Sequence, residues 1–339
     1  MFIKSIEVTG LAALEHYEVT GLSRVVRVTG DAPAYVGLAD ALTIGLSAFS
    51  VEDARRAAAR LGLGDAVEVT GQGLPEEIHV EHPAIASQLV AKPAQDEPPH
   101  IKVTLEFELD PPQFRRLRQS AQRDPRLVSA LAEDAATVRV VTGWAFTNDY
   151  SWISCSILSF RVGGLDLPAE GKEAPAWLPA FLKSMAGRNH RRGPLEVDAL
   201  SVAKAERSPS AEQRATVHEM RSVLSRSPFR LGVLEIVEPA GSAPYLALAA
   251  EDGQLLPLRA MGPAAKDMVG LVQAVLVDSA EILLLESPTA FTLRTRSLLT
   301  WLHAQAEADG SALEQVWLFG VEGADALVMP PRQQEPEPA

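Results

Sequence analysis

The chain has 339 residues and a formal net charge of −13, and 47% of its residues are hydrophobic. This composition predicts a globular protein with a packed core, and it argues against a surface that is basic throughout and coats nucleic acid. A single cysteine, Cys155, excludes an internal disulfide framework and is typical of a reducing compartment. No stretch approaches the roughly 18 apolar residues of a membrane helix, and the first residues lack the apolar segment of a signal peptide. We therefore expect a soluble, cytoplasmic protein.

The N-terminal part of the chain predicts strands that are followed by helices. β-branched runs that each end in Val-Thr-Gly predict strands over 2–8, 14–19 and 25–28. Helical spacing of apolar residues predicts a helix over 38–49, and an alanine-rich charged segment predicts another over 51–62. A strand that runs into a loop starting with glycine and then into a helix is the layout of a phosphate-binding unit.

The middle of the chain predicts an inserted antiparallel lobe. Residues 72–100 contain five prolines and are interpreted as a loop. Strict alternation of apolar and polar residues over Ile101–Leu109 predicts a half-buried strand. A helix and two further strands, over 137–142 and 151–162, complete a lobe at about 101–165. A polar helix is predicted over 205–227.

The C-terminal part predicts the edge of a sheet where a ligand would bind. A strand pair is predicted at 231–237 and 245–249, and a helix opens at Gly262-Pro263. The apolar run Ile282–Leu285 is typical of a strand buried on both faces, and it ends at Glu286-Ser287-Pro288. Open α/β sheets bind ligands at the carboxyl ends of their strands, so Glu286 stands at a candidate site. Residues 316–319 predict the strand that closes the sheet, and the tail PPRQQEPEPA is expected to be disordered.

Taken in order, four segments resemble the ABC-type ATPase head of the RecF/SMC/OLD class of AAA family ATPases. RVVRVTGDAPAYVGLADAL resembles the Walker A segment, and LPLRAMGPAAKDMVGLVQAVL resembles the signature segment and its helix. ILLLESPTAFTLRTRSLL resembles Walker B and the D-loop, and VWLFGVEGADAL resembles the last strand and the switch. The resemblance covers about 1–50 and 245–328. It implies an α/β, P-loop NTPase-like head, with a mixed sheet flanked by helices and an inserted antiparallel α+β lobe.

The resemblance also implies a division of the chain into head, insertion and tail. The N-terminal part of the head is placed at 1–70, the inserted lobe and helical segment at 71–230, and the C-terminal part of the head at 231–328. The tail is placed at 329–339.

The residues that bind and hydrolyse ATP in this family are replaced here. A working phosphate loop reads GxxxxGK[ST], but the loop at 30–37 keeps Gly30 and lacks the lysine and the hydroxyl, while Asp31 adds a negative charge. Glu286 and Ser287 stand where an Asp-Glu pair is usual, and a serine cannot polarise water as a carboxylate does. The serine of the family's signature segment is missing from LRAMGPAAK, and no histidine stands at the switch position after the last strand.

The candidate site residues are therefore vestigial nucleotide-site positions. They are Gly30, Asp31, Gly37, Gly262, Glu286 and Ser287. We expect no catalytic residue and no metal ligand.

Three functional hypotheses remain open from the sequence. The first is a pseudo-ATPase that acts as a protein-interaction or scaffold subunit without a cofactor and pairs with a protein partner or a second copy through the head face. The second is a divergent ATPase that uses ATP, Mg²⁺ and Glu286 with residues from a partner. The third is a regulatory or cargo-binding module without a nucleotide role. Nucleic-acid contact is left open only at the basic residues Arg188, Arg191 and Arg192.

Overall fold

The computed structural model describes two compact units built from strands and helices. It covers residues 2–329 except 50, 65–75, 94–96, 122–126, 128–130, 132–136, 170–173, 179–180, 182–189, 194, 196, 250–252, 287–288 and 309–310. The strands are β1 Phe2–Thr9, β2 His16–Val19, β3 Val25–Gly30, β4 Glu76–His79, β5 His100–Glu108, β6 Thr137–Phe146, β7 Trp152–Val162, β8 Leu165–Leu167, β9 His190–Arg192, β10 Val233–Val237, β11 Tyr245–Ala249, β12 Leu255–Pro257, β13 Ile282–Glu286, β14 Gln315–Phe319 and β15 Leu327–Met329. The helices are α1 Ala32–Leu46, α2 Val51–Arg60, α3 Pro83–Leu89, α4 Pro111–Ala121, α5 Ala199–Glu206, α6 Ala211–Ser225, α7 Pro263–Leu276 and α8 Thr289–Glu307.

The two units interleave along the chain. The first comprises residues 1–23, 30–187 and 329–339, and the second comprises 24–29 and 188–328. Contacts therefore group β1 and β2 with the middle of the chain. The division into head, inserted lobe and tail stays a prediction.

The first unit is built on a seven-stranded antiparallel sheet. Its strand order is β2-β1-β5-β6-β7-β4, and β8 pairs with β7. The alternation in β5 buries Ile101, Val103, Leu105 and Phe107 almost completely, as expected for a strand with one face on the core. Helix α1 packs closely on this face, because a Cβ added to Gly45 would lie 2.7 Å from Leu105 Cδ1.

The second unit contains a five-stranded sheet and a three-stranded antiparallel sheet. The five strands follow the order β15-β3-β14-β13-β9, and the pairs β3–β14, β14–β13 and β13–β9 are parallel. The smaller sheet has the order β10-β11-β12. One hydrophobic cluster joins side chains of both sheets to those of α5 to α8. The predicted α/β class with an antiparallel lobe is confirmed.

Two sequence interpretations are corrected by the strand pairing. Residues 72–100 are not a continuous loop, because they contain β4 and α3. Ile78 on β4 is buried and pairs with Ile153 on β7, and Pro83 occupies the first turn of α3, where a proline costs no hydrogen bond. Strand β14 does not close the parallel sheet but lies in its centre, since the order of strands along a chain does not fix their order across a sheet.

The turn between β6 and β7 is held by a carboxylate. Asp149 Oδ1 accepts hydrogen bonds from the Thr147 hydroxyl at 2.6 Å and from the Ser151 hydroxyl at 2.8 Å. These bonds, together with one from the Ser151 N–H, lower the pKa of Asp149 to about 2. The ionised carboxylate therefore stabilises the turn.

We predict a pH-dependent stability difference between the wild type and Asp149→Asn. Because the pKa of Asp149 is lower in the folded state, its contribution is complete above the unfolded pKa of about 3.9 and is lost as the pH falls through about 2. The variant should melt below the wild type at neutral pH, and the gap should close as the pH falls towards 2. A gap of the same size at both pH values, measured by circular dichroism, would show that the charge is not responsible.

Candidate functional site

The carboxyl ends of three parallel strands meet in one row of the second unit. Glu286 at the end of β13 pairs with Phe319 at the end of β14, and Phe319 pairs with Val28 of β3. The Gly320 N–H donates to the Val28 carbonyl at 2.8 Å and continues this pairing by one residue. The edge that the sequence assigned to a ligand is therefore formed, and Glu286 is its carboxylate.

Glu286 is engaged by an arginine of the neighbouring strand. Arg192 ends β9, where it pairs with Leu284, and its Nε donates to Glu286 Oε1 at 2.5 Å. The Arg192 side chain is 11% exposed and that of Glu286 is 28% exposed, so water screens the pair only in part. Charge-assisted hydrogen bonds of this kind are short and about twice as strong as neutral ones. Glu286 is thus a partner of a guanidinium rather than an open acid.

The other basic residues of this segment differ in their placement. Arg191 lies 3.5 Å from Asp278, and its side chain is 45% exposed. Asp278 also accepts a hydrogen bond from the Ser201 hydroxyl at 3.2 Å. Arg188 lies outside the described residues. Arg191 and Arg192 therefore both face carboxylates of their own unit, and nucleic-acid contact in this segment stays a prediction.

Gly30 is the last residue of β3 and Asp31 is the one residue between β3 and α1, and both belong to the first unit. Gly30 has a φ of +111°, and a Cβ added there would lie 2.5 Å from the Met329 carbonyl oxygen, so only glycine fits without strain. Asp31 is the N-cap residue of α1, and its carbonyl accepts from the Tyr35 N–H at 3.0 Å. Its Oδ2 atom is buried without a hydrogen-bond partner among the described residues.

Residues 30–37 are not a loop, which corrects the sequence interpretation. Helix α1 begins at Ala32, so a single residue separates it from β3. Pro33 lies in its first turn, where the fixed φ of proline favours a helix start. Gly37 is buried inside the helix, and a Cβ added there would lie 2.5 Å from the Ala13 Cβ. Its absent side chain allows the segment around Ala13 to approach the helix.

The remaining positions of the predicted site fall at the signature helix and beside Glu286. Gly262 is the exposed N-cap residue of α7, with no atom within 4 Å of an added Cβ. Ser287 lies outside the described residues.

The segment after β14 is held by an arginine that the sequence analysis did not single out. Arg27 lies on β3, forms an ion pair with Asp325 and donates to the Glu322 carbonyl at 3.4 Å. A Cβ added to Gly323 would collide with the Arg27 guanidinium. The signal was a lone charge within the apolar strand VVRV. Arg192 gave no such signal, because β9 has three residues and no apolar period.

The single cysteine and a histidine of β4 pack against other residues of the first unit. Cys155 is buried on β7 at 2% exposure. His79 packs edge-on against Trp152 with ring centroids 5.0 Å apart. Within the described ranges, no group of three or more His, Cys, Asp or Glu residues could hold a metal ion. In those same ranges, no helix is long and apolar enough to cross a membrane.

Comparison with known proteins gives a likeness to solved structures only. No protein-family model and no curated protein matches the chain. The recombination mediator protein RecF-ATPrS of the RecFOR pathway aligns with 10% identity, 96% of this chain, 94% of its own chain and a TM-score of 0.41. RecF-ATP of the same pathway aligns with the same identity and coverage and a TM-score of 0.34.

We predict that Gly30 is required for stability and that Gly262 is not. Gly30→Ala should cost about 1–3 kcal/mol, because it combines a positive φ with a clash against the Met329 backbone. Gly262→Ser is the control, since a serine at an exposed N-cap should be neutral or stabilise by a few tenths of a kcal/mol. Urea unfolding of both variants checks this. Equal stability of the two variants would remove the structural role of Gly30.

Proposed function

We propose that the protein is a pseudo-ATPase of the ABC type that acts as an interaction or scaffold subunit and has lost ATP binding and hydrolysis. The observation that carries this proposal is the connection of one residue between β3 and α1. A phosphate loop needs several successive backbone N–H groups in an open turn between strand and helix. Here those residues are already helical, and Pro33 contributes no N–H.

The charges around that connection also support a lost phosphate site. Asp31 brings a carboxylate to the start of α1, where a phosphate would otherwise meet the positive end of the helix dipole. The first turn of α1 contains no lysine or arginine that could offset this charge. A polyphosphate would therefore be repelled by the Asp31 carboxylate and would also lack the backbone N–H groups that bind phosphates.

The protein-interaction role is supported by an exposed apolar row on the smaller sheet of the second unit. Val233 on β10 and Leu255 on β12 both pair with Ala249 of β11 and are each 46% exposed. Neighbouring side chains in one cross-strand row present a continuous apolar strip, and such strips on edge strands favour association. We call Val233, Ala249 and Leu255 the apolar row. We propose that it contributes to contact with a protein partner or a second copy.

We predict that Mg-ATP does not stabilise the protein. At about 1 mM Mg-ATP, a site with a dissociation constant near 10 μM would add about 2.7 kcal/mol of stability, which corresponds to a rise in Tm of roughly 5–10 °C. Differential scanning fluorimetry should show no rise for the wild type, with EDTA-treated protein as the reference. A rise of that size would contradict the proposal.

A phosphate-release assay separates the divergent ATPase from the pseudo-ATPase. Turnover that Glu286→Gln abolishes would establish the divergent enzyme. Turnover that is unchanged in this variant would indicate a contaminant. The pseudo-ATPase predicts no release in either protein.

We predict that the apolar row controls self-association if the partner is a second copy. Leu255→Glu places a charge in the row and should weaken the dimer by at least about tenfold, because burying an unpaired carboxylate is costly. Leu158→Glu is the matched control, since Leu158 is a leucine of the first unit with 53% exposure. Sedimentation velocity measures both variants with and without Mg-ATP. Equal weakening by both, or a dimer that needs Mg-ATP, would contradict the role of the row.

A further inference from the structure

The residues at the sheet edge do not fit the Mg²⁺–phosphate group that the family resemblance implies. A Mg²⁺ ion in such sites is bound by one or two carboxylates together with water and phosphate oxygens. Here Glu286 Oε1 accepts from Arg192 at 2.5 Å, and Asp278, which follows α7, faces Arg191. The guanidinium of Arg192 is a cation that cannot be deprotonated, so it does not give way to a metal by losing its charge.

We infer that Arg192 is a built-in counter-cation for Glu286 and that this pair fixes β9 to β13 where the resembled family holds a metal ion. This inference rests on the proposed function, since it explains how the acidic edge of a head without nucleotide is stabilised. With this contact, the attachment of β9 to β13 does not depend on a bound ligand.

The geometry of β9 shows why this contact matters. The strand has three residues and lies at the end of the five-stranded sheet, with β13 as its neighbour in the sheet. The pairs His190–Ile282, Arg191–Leu283 and Arg192–Leu284 set its register, and the Gly193 N–H donates to the Leu284 carbonyl at 3.1 Å. So short an edge strand has little backbone pairing of its own. The partly buried, charge-assisted bond at its carboxyl end therefore adds to this limited backbone pairing.

The sign of one substitution separates a structural acid from a metal ligand. A carboxylate kept for a metal is an uncompensated charge in the metal-free protein, so neutralising it raises stability. A carboxylate paired with a buried arginine behaves oppositely, because its removal leaves the guanidinium without its partner. Glu286→Gln therefore decreases the Tm under the present inference and increases it under the alternative.

The experiment is thermal unfolding of the full chain in EDTA and in excess MgCl₂. We expect Glu286→Gln and Arg192→Met each to lower the Tm by roughly 4–12 °C. The decrease in the double variant should be smaller than the sum of the two single decreases, because both substitutions remove the same contact. Arg191→Met is the matched control on the same strand. Its more exposed pair should be worth no more than about 3 °C. MgCl₂ should not change the Tm of the wild type.

Three results would overturn the inference. They are a higher Tm for Glu286→Gln in EDTA, a Mg²⁺-dependent rise in the wild type that this variant lacks, and strictly additive losses in the double variant. If Arg192→Met does not fold, Arg192→Lys replaces it. This variant should fold with a Tm below that of the wild type, because lysine keeps the charge but lacks the planar fork of the guanidinium. The melting experiment with Mg-ATP tests the proposed function separately. Its outcome does not decide whether Glu286→Gln raises or lowers the Tm in the absence of nucleotide.

Discussion

The passage from β3 to α1 through one residue is the constraint on which the functional reading of this molecule depends. A strand and a helix so close in sequence leave no room for a turn of free N–H groups, whatever the side chains are. Gly30 serves this tight passage with its positive φ and its contact with the Met329 backbone. The glycine that resembles the start of a phosphate loop is thus needed for the path of the chain. A glycine that cradles a phosphate and a glycine that makes room for neighbouring backbone cannot be told apart in sequence. They differ in the atoms that lie next to them.

At the sheet edge of the second unit, charge is balanced from within the protein. Glu286 has Arg192, Asp278 has Arg191, and Asp325 has Arg27. These three pairs differ in their expected contribution to stability, because in Arg192–Glu286 both side chains are partly buried, whereas in each of the other two pairs one side chain is well exposed. In a chain with a net charge of −13, pairing arginines with carboxylates reduces the repulsion between those carboxylates and so favours the folded state.

The sequence predicted the elements better than their arrangement. The Ile282–Leu285 run and the alternation in β5 were legible, because burial imposes a period that survives without context. Strand β4 was missed because its partner β7 lies far along the chain. Helix α3 was missed because its first residue, Pro83, was taken with the other prolines of 72–100 as typical of a loop. The start of α1 was placed six residues late because its first turn carries Ala32 and Pro33 instead of large apolar residues.

The candidate site was predictable as a place and not as a set of contacts. Glu286 was found from the end of a buried strand, which is a rule about sheets. Arg192 was seen only as part of a basic cluster, because a strand of three polar residues has no period to reveal it. The contacts decide the role of a glutamate at this position. Next to a bound phosphate it can bind a metal ion, and next to an arginine it is the partner in an ion pair.

The apolar strands and the polar edge of the five-stranded sheet are under separate structural constraints. Leu283, Leu285, Val316 and Leu318 are buried in one cluster with the helices of the second unit, and Trp317 and Phe319 are buried on the opposite face of β14. Nothing in that packing requires a particular residue after the strand ends. Residues at the carboxyl edge are free to change as long as each buried charge finds a partner. The pair of Arg192 and Glu286 meets that condition at the end of β13 without involving the apolar core.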